Sequence, residues 1–166
     1  MRKNRFLILI ALLYPLINLM FFRGFNFETR DVLLMFFVGV GEELFFRGFL
    51  LKLFFEKLGE KWIYITSGIF AICHGVNLFH ESPVFVVLQI ISAFVVGLLY
   101  SHITLQFKSV LPCIILHSIT NVTYLFTAQS MTPIKTALLI ISNVLIVIYL
   151  LRFKKHQQER ENEILH

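Results

Sequence analysis

Two adjacent carboxylates and a guanidinium interrupt a long apolar segment in the first third of the chain. Glu42, Glu43 and Arg47 lie in the run 32–55, which is otherwise mostly apolar. A charged side chain at the centre of a bilayer costs about 2.5–3.5 kcal/mol on insertion scales, so such residues pair with one another or serve a function. Carboxylates held beside an imidazole are suited to general acid–base catalysis of hydrolysis.

The spacing of these three residues separates them into a pair and a single carboxylate. Glu43 and Arg47 are four residues apart, so they lie on nearly the same helix face and are predicted to pair. Glu42 is about 100° away around the helix and cannot share Arg47 equally well. Glu42 is therefore the candidate general base. The alternative, in which all three residues form a structural polar knot, stays open at this point.

Two further apolar segments each contain a histidine. His74 lies in the segment after the carboxylates, and His117 lies four residues before Asn121, so His117 and Asn121 share one helix face. The imidazole can accept or donate a proton, and the amide can donate two hydrogen bonds. Ser118 points about 100° away from His117, which disfavours a serine nucleophile. A single buried histidine is more often a packing residue than a catalyst, so the interpretation depends on the combination.

The composition places these residues in a membrane protein. The chain has 166 residues, of which 57% are hydrophobic and 15% charged, with a mean hydropathy of +0.78. A helix needs about 20 apolar residues to cross a bilayer. The connections are short, so residues 1–166 are predicted to form a single all-α, polytopic transmembrane bundle without a separate soluble domain. Six runs are long enough to span, at residues 6–22, 32–55, 62–79, 83–102, 109–127 and 133–153.

The distribution of basic residues predicts the orientation of the bundle. With the N-terminus inside, eleven Lys and Arg residues fall in inside segments and three in outside segments, which favours cytoplasmic N- and C-termini. The first run is interpreted as a retained span that Pro15 kinks. The net charge of +5 and the basic, polar tail at 154–166 fit contact with anionic lipid headgroups, so no nucleic-acid partner is expected. We expect a multi-pass protein of the cell membrane.

Two pairs of glycines have a spacing that predicts close contacts between helices. Gly41 and Gly48 are seven residues apart, and so are Gly68 and Gly75, which places each pair on one helix face. Small residues let helix backbones approach closely in membranes. We expect helix contacts at these four positions, which would hold the polar groups at fixed distances.

The polar residues form three motifs that follow one another on separate spans. They are Glu-Glu-x-x-x-Arg at Glu42, Glu43 and Arg47, Phe-x-x-x-His at Phe70 and His74, and His-x-x-x-Asn at His117 and Asn121. With these motifs the chain resembles the CAAX protease and bacteriocin-processing family (CPBP, also called Abi), whose best-understood members are type II CAAX prenyl endopeptidases. The resemblance covers about residues 35–126, and the first and sixth spans flank this protease core.

The resemblance implies an intramembrane endopeptidase. Glu42 with His74 would position and deprotonate the attacking water, and His117 with Asn121 would donate hydrogen bonds to the oxyanion of the tetrahedral intermediate. Preorganised donors of this kind are usually the largest single catalytic term. The substrate would be a peptide bond close to the bilayer, beside a transmembrane segment or a lipid anchor of the substrate protein. A prenylated substrate is not required.

The same resemblance gives Glu43 and Arg47 a site-shaping role and requires no cofactor. The chain lacks a His-Glu-x-x-His helix, and prenyl endopeptidases of this type are better described as metal-independent glutamate proteases. We therefore predict no metal and no other cofactor. Zinc is the less favoured alternative, and Glu42, His74 and His117 would then be its ligands.

Two other classes of function fit the buried polar residues. One is a non-catalytic immunity or interaction protein built on the same scaffold, in which the polar residues are structural. The other is a small proton-coupled carrier, because glutamates and histidines inside a membrane can relay protons. The sequence shows no internal repeat of the kind that many carriers contain. It predicts no particular oligomeric state.

Overall fold

The computed structural model describes a helical chain. It covers the backbone of residues 2–25, 27–127 and 132–165 and the side chains of residues 6–25, 27–127 and 132–155. Within these ranges every regular element is a helix, so the predicted all-α class is confirmed. The elements are α1 (Arg2–Ala11), α2 (Leu13–Met20), α3 (Thr29–Glu43), a π-helical segment (Leu44–Leu50), α4 (Leu51–Leu58), α5 (Glu60–Cys73), a 3₁₀-helical segment (His74–Phe79), α6 (Pro83–Phe107), α7 (Leu111–Leu125) and α8 (Pro133–Leu165).

A break divides the first apolar segment into α1 and α2. α1 ends at Ala11, and α2 begins at Leu13, shortly before Pro15. Proline has no N–H to donate to the carbonyl four residues earlier, which here belongs to Ala11, and its ring clashes with that carbonyl. The sequence predicted a kink at Pro15, and the structure shows an interruption of the helix at Leu12, three residues earlier.

The segment that carries both carboxylates is one continuous helical stretch with a change of pitch. At the start of α3, the Asp31 carboxylate accepts a hydrogen bond from the backbone N–H of Glu28 at 3.0 Å. The π-helical segment follows Glu43 directly, and α-helical geometry resumes at Leu51. Insertions of this kind are frequent at functional sites. After α4, Gly59 turns the chain with a φ of +57°, a conformation that favours glycine.

Polar residues define the beginnings of the two longest helices. The Ser82 hydroxyl accepts a hydrogen bond from the backbone N–H of Phe85 at 3.3 Å, and the Thr132 hydroxyl accepts one from the N–H of Lys135 at 3.2 Å. In both cases the next residue is a proline at the first helical position, where the missing N–H costs nothing. These N-caps explain why α6 and α8 begin where they do.

Several helices have the length and composition of membrane spans. Glu60–Phe79, Pro83–Phe107 and Pro133–Lys155 are long and apolar enough to cross a membrane, and two shorter apolar helices cover Phe6–Met20 and Leu111–Leu125. Many large Leu, Ile, Val and Phe side chains are exposed, as expected of a surface in contact with lipid. These features support a helical membrane bundle. Six spans and cytoplasmic termini stay predictions.

The bundle packs in pairs of helices around two core clusters. α3 packs along α7, and α5 packs along α6. The larger cluster joins α1, α6, α7 and α8 and includes the fully buried Leu7 and Ile103. The smaller cluster joins the π-helical segment, α5 and α6 through Phe46, Phe70 and Ala93. The charged residues of the site lie beside this smaller cluster.

The close helix contacts occur at glycines other than the four that the sequence predicted. A Cβ atom at Gly39 would lie 2.8 Å from Oγ of Ser118, and one at Gly97 would lie 3.0 Å from Cβ of Ser67. The prediction is wrong because spacing identifies residues on one face but not the face that meets a neighbouring helix. An added Cβ would meet nothing within 4 Å at Gly41, Gly68 and Gly75, and its first neighbour at Gly48 would be 3.8 Å away.

Candidate active site

The carboxylate of Glu43 and the guanidinium of Arg47 form a buried ion pair. Oε1 of Glu43 and Nη1 of Arg47 are 2.9 Å apart, and the two side chains are 0% and 1% exposed. Glu43 ends α3 and Arg47 lies in the π-helical segment, so this contact forms across the change of helical pitch. The predicted pairing is confirmed. Either charge alone would be left uncompensated in the interior, so the two depend on each other.

His117 joins this pair from α7. Its Nδ1 atom is 2.8 Å from Oε1 of Glu43, so the Nδ1–H group donates to that carboxylate. The opposite nitrogen, Nε2, lies 3.6 Å from Oε2 of Glu42. The imidazole therefore lies between two carboxylates that are adjacent in sequence, one fully buried and one 34% exposed. The spacing of residues along the sequence did not predict the contact between His117 and Glu43.

Phe70 connects the charged residues with both histidines. The guanidinium carbon of Arg47 lies 4.2 Å from the centroid of the Phe70 ring, which is a cation–π contact. The centroid of this ring is also 4.9 Å from that of His74 and 5.9 Å from that of His117, with the rings close to perpendicular. Phe70 is 2% exposed. It is a packing residue, as predicted, and it helps to fix three polar side chains.

His74 lies where the third predicted span changes geometry. α5 ends at Cys73, and His74 begins the 3₁₀-helical segment, whereas the sequence predicted one regular helix. The Nδ1–H group of His74 donates to the carbonyl oxygen of Phe70 at 2.9 Å. In the neutral ring this leaves Nε2 as the acceptor. The backbone contact therefore fixes both the orientation and the tautomer of the imidazole.

Asn121 lies one turn after His117 on α7. Its Nδ2 atom donates to the carbonyl oxygen of Met35 on α3 at 3.4 Å. An amide carries two N–H groups, and among the described residues only the Met35 carbonyl accepts from this one, so a second donor is available to a ligand. Ser118 points towards α3 and donates its hydroxyl to the carbonyl oxygen of Phe36 at 3.1 Å. This hydrogen bond gives the Ser118 hydroxyl a structural role.

The four predicted catalytic residues line one cavity. The cavity has a volume of about 940 Å³, and Glu42, His74, His117 and Asn121 contribute to its wall. Most of the other lining side chains are apolar. Ligand sites commonly measure about 300–1,000 Å³ and combine an apolar wall with a few polar groups. A single ligand could therefore contact all four residues, whose catalytic roles stay predictions.

Helices outside the predicted protease core complete the cavity. Tyr14 and Asn18 line it from α2, and Lys135 and Asn143 line it from α8. The Tyr14 hydroxyl donates to Oδ1 of Asn143 at 2.6 Å, which links these two helices at the cavity wall. None of these four residues was predicted from the sequence to belong to the site. The available signal was a polar side chain inside an apolar segment.

The alternative zinc site is not assembled in this geometry. Among the residues that the structure describes, no three His, Cys, Asp or Glu side chains are placed to hold one metal ion. Glu42, His74 and His117 therefore do not form the ligand set that the alternative required, and His117 directs Nδ1 to Glu43. Metal independence stays a prediction that chelation can test.

The fold and the cavity together define a class of protein. Apolar helices enclose carboxylate, imidazole and amide groups, the side chains that a hydrolytic enzyme of the membrane would need. The profile of the family described as "Type II CAAX prenyl endopeptidase Rce1-like" matches residues 29–123. This match covers more than half of the chain, so the protein belongs to that family, and the resemblance seen in the motifs is confirmed. Membership in this family supports the conclusion that the protein is a protease. No curated protein and no solved structure matches the chain significantly.

Proposed function

We propose that the protein is an intramembrane endopeptidase of the CPBP/Abi type. It resides in the cell membrane as a multi-pass protein of six spans with both termini in the cytoplasm, and it hydrolyses a peptide bond close to the bilayer. One observation carries the proposal. Glu42 and Nε2 of His117 lie 3.6 Å apart at the cavity wall, while Nδ1 of the same imidazole is held by a buried carboxylate.

In the proposed reaction, Glu42 is the general base. Its carboxylate takes a proton from water, and the water oxygen attacks the carbonyl carbon of the scissile bond. The carbon–nitrogen bond then breaks, and the protonated Glu42 returns its proton to the leaving amine. Partial exposure to the cavity supports this role, because the base must reach both water and substrate. Nε2 of His74, the acceptor nitrogen, helps to orient the water.

His117 and Asn121 stabilise the oxyanion of the tetrahedral intermediate. In its doubly protonated form the imidazole donates from both nitrogens, to Glu43 through Nδ1 and to the oxyanion through Nε2. The free N–H of Asn121, one turn further along α7, adds a second donor. Removing one such donor from an enzyme typically costs about 10²–10³-fold in rate.

Glu43 and Arg47 are positioning residues in this proposal. Neither needs to touch the substrate, because both lie in the interior behind the imidazole. Glu43 fixes the ring through Nδ1, and Arg47 compensates the charge of Glu43. A carboxylate that holds a catalytic imidazole in one orientation is a common supporting arrangement.

The cavity lining supports an apolar, membrane-proximal substrate. A peptide segment of a membrane protein, or of a protein held to the bilayer by a lipid anchor, would match the mostly apolar wall. The partners are then this substrate and the lipid bilayer, with no nucleic acid and no metal. Neither a prenyl group on the substrate nor a particular oligomeric state is part of the proposal.

Comparison of peptide termini in membrane proteomes tests the proposed function. Cells express the wild-type chain, Glu42→Ala, or Glu81→Gln as a matched control, because Glu81 also lines the cavity and makes no contact with His117 among the described residues. We expect new termini with the wild type and with Glu81→Gln, and none with Glu42→Ala.

Two outcomes would contradict the proposal. Identical termini in all three strains, with equal amounts of folded protein, would favour a non-catalytic scaffold. Proton-coupled flux into proteoliposomes without any peptide cleavage would favour a carrier.

A further inference from the structure

Two side-chain amides meet at the cavity wall, and the proposed reaction uses neither of them. Asn77 belongs to the 3₁₀-helical segment and Gln89 to α6, and both residues line the cavity. Nδ2 of Asn77 donates to Oε1 of Gln89 at 2.8 Å. We call Asn77 and Gln89 the amide pair. Both residues are half-buried, so their side chains can still be reached by a ligand in the cavity.

The amide pair keeps hydrogen-bonding groups that its own contact does not use. A primary amide carries two N–H groups and an accepting oxygen, and the contact between the two side chains uses an N–H of Asn77 and the oxygen of Gln89. In the part of the chain that the structure describes, no group accepts from Nε2 of Gln89 and none donates to Oδ1 of Asn77. Polar groups inside an apolar bundle are costly unless they are paired. A ligand with both an acceptor and a donor would pair both.

The amide pair lies close to the proposed catalytic residues. His74 and Asn77 are three residues apart in the 3₁₀-helical segment. Such a helix has about three residues per turn and rises about 2.0 Å per residue, so the two side chains share one face, about 6 Å apart along the axis. An extended peptide advances about 3.3 Å per residue. A peptide cleaved beside His74 would therefore pass the amide pair about two residues from its scissile bond.

The backbone of an extended peptide needs hydrogen-bond partners inside this cavity. Water supplies them outside, and a mostly apolar wall does not. Extended peptides commonly pair with an exposed sheet edge. Every regular element in the described ranges is a helix, and the backbone groups of a helix bond within it. A pair of side-chain amides offers the same donor and acceptor as a strand, so it can replace a sheet edge at one residue of the peptide.

We infer that the amide pair is a subsite that binds the backbone of an extended peptide substrate about two residues from the scissile bond. The N–H and C=O groups of one residue point to the same side of an extended chain. The C=O group accepts from Nε2 of Gln89, and the N–H group donates to Oδ1 of Asn77. Every residue except proline has both groups, so the subsite positions the chain without selecting a side chain. The inference rests on the proposed function for the identity of the ligand as a substrate.

Binding of peptides with single backbone changes tests this subsite. The probes are an Nα-acetylated leucine–alanine hexapeptide amide and a series of its esters, each with an ester in place of one peptide bond. An ester has no N–H group and its carbonyl is a weaker acceptor, whereas the side chains stay the same. Affinities are measured with the full-length protein in detergent by microscale thermophoresis.

The protein variants remove one group of the subsite at a time. All carry Glu42→Gln, which prevents turnover under the proposed mechanism. Asn77→Leu then removes the acceptor, and Gln89→Met removes the donor. Leu88→Met is the matched control, because Leu88 also lines the cavity and has no polar atom in its side chain.

We expect at least one ester to bind the Glu42→Gln protein about 10-fold more weakly than the all-amide peptide, as the loss of a hydrogen bond in a buried site predicts. Asn77→Leu should remove the loss of affinity caused by a missing N–H, and Gln89→Met the loss caused by a weaker carbonyl. Leu88→Met should keep both losses. The affected ester should bind equally with and without the matching substitution, which shows that the cavity has folded.

Three results would overturn the inference. They are equal affinities for the all-amide peptide and every ester, no measurable binding by any peptide, and a loss of affinity that survives both Asn77→Leu and Gln89→Met. The amide pair would then serve only to pack the 3₁₀-helical segment against α6.

The binding readout separates this inference from the proposed function. A chain that produces no new peptide termini but shows the ester effect in a manner that depends on the amide pair would refute proteolysis and leave the peptide subsite standing. An active protease that binds all esters equally would do the reverse. In an active protease, loss of either amide should raise KM more than it lowers kcat, because the pair binds the chain away from the scissile bond.

Discussion

Two glutamates that are adjacent in sequence differ in burial and in hydrogen-bond partners. Glu43 is fully buried and accepts hydrogen bonds from Arg47 and His117, whereas Glu42 is 34% exposed and lines the cavity. A single step of about 100° around the helix separates them. The partners and the exposure of each carboxylate, and not its residue type, decide which one is structural and which one is available for chemistry.

This difference extends to the side chains around each glutamate. The region around Glu43 is buried, and its stability depends on compensation of charge. The region around Glu42 faces the cavity, and its proposed activity depends on groups that can hydrogen-bond to a ligand. His117 belongs to both regions, because each of its nitrogens faces a different carboxylate. We call Glu43, Arg47 and Phe70 the buried cluster, and Glu42, His74 and Asn121 the cavity face. Substitutions in the buried cluster should change stability, and substitutions in the cavity face should change activity.

The largest loss of stability is expected for Arg47→Met. It leaves the fully buried Glu43 without its cation, and breaking a buried ion pair costs about 3–5 kcal/mol. The measurement is the free energy of unfolding of the purified protein in detergent. Lys154→Met is the control, because it removes a solvent-exposed pair with Glu60 and should cost about 0–1 kcal/mol. Similar small losses in both variants would show that the cluster is not charge-compensated as described.

Asn121→Ala should reduce activity and leave stability nearly unchanged. Loss of one oxyanion donor lowers the rate about 10²–10³-fold, and the long hydrogen bond to Met35 contributes little to stability. The measurement is the rate of cleavage of the substrate that the comparison of termini identifies. Asn77→Ala is the matched control, since Asn77 also lines the cavity but donates to Gln89. Equal losses of rate in the two variants would contradict the specific role of Asn121.

Gly39→Ala should destabilise the contact between α3 and α7. The new Cβ would lie 2.8 Å from Oγ of Ser118, and overpacking costs about 1–3 kcal/mol. Gly41→Ala, two residues further along α3, meets nothing within 4 Å and should be neutral or stabilise the helix by up to about 1 kcal/mol. Unfolding measurements on both variants check this. A larger loss for Gly41→Ala would mean that another face of α3 meets α7.

The smallest effect is expected from the cation–π contact of the buried cluster. Phe70→Leu removes a ring 4.2 Å from the guanidinium carbon of Arg47, whereas Phe46→Leu removes one at 5.9 Å. We expect Phe70→Leu to cost about 1 kcal/mol more than Phe46→Leu, in line with desolvated cation–π pairs. Unfolding in detergent measures the difference. Equal costs would assign Phe70 to apolar packing alone.

The sequence predicted the contacts that lie within one helix. The pair between Glu43 and Arg47 follows from a spacing of four residues, and the break before Pro15 follows from the missing N–H of proline. The common face of His117 and Asn121 follows from the same periodicity. These features depend on the geometry of a single helix, so the positions of residues in the sequence were enough to predict them.

The spacing of residues along the sequence could not predict contacts between helices. The hydrogen bond between His117 and Glu43, and the approach of Gly39 to Ser118, depend on how α3 and α7 are rotated about their axes. Side-chain packing along the whole interface decides that rotation. The burial of Lys135 likewise depends on how α8 packs against the other helices. The sequence placed Lys135 in a segment outside the membrane, which gave no indication that its side chain is buried.

The two neighbouring glutamates give the most direct test of the central claim. Glu42→Gln and Glu43→Gln are purified, and thermal stability in detergent and cleavage of the identified substrate are measured on the same samples. The account predicts that Glu42→Gln keeps the wild-type stability and loses cleavage, while Glu43→Gln loses stability because Arg47 is left buried without its counter-charge. A Glu42→Gln protein that still cleaves, or a Glu43→Gln protein as stable as the wild type, would contradict the account.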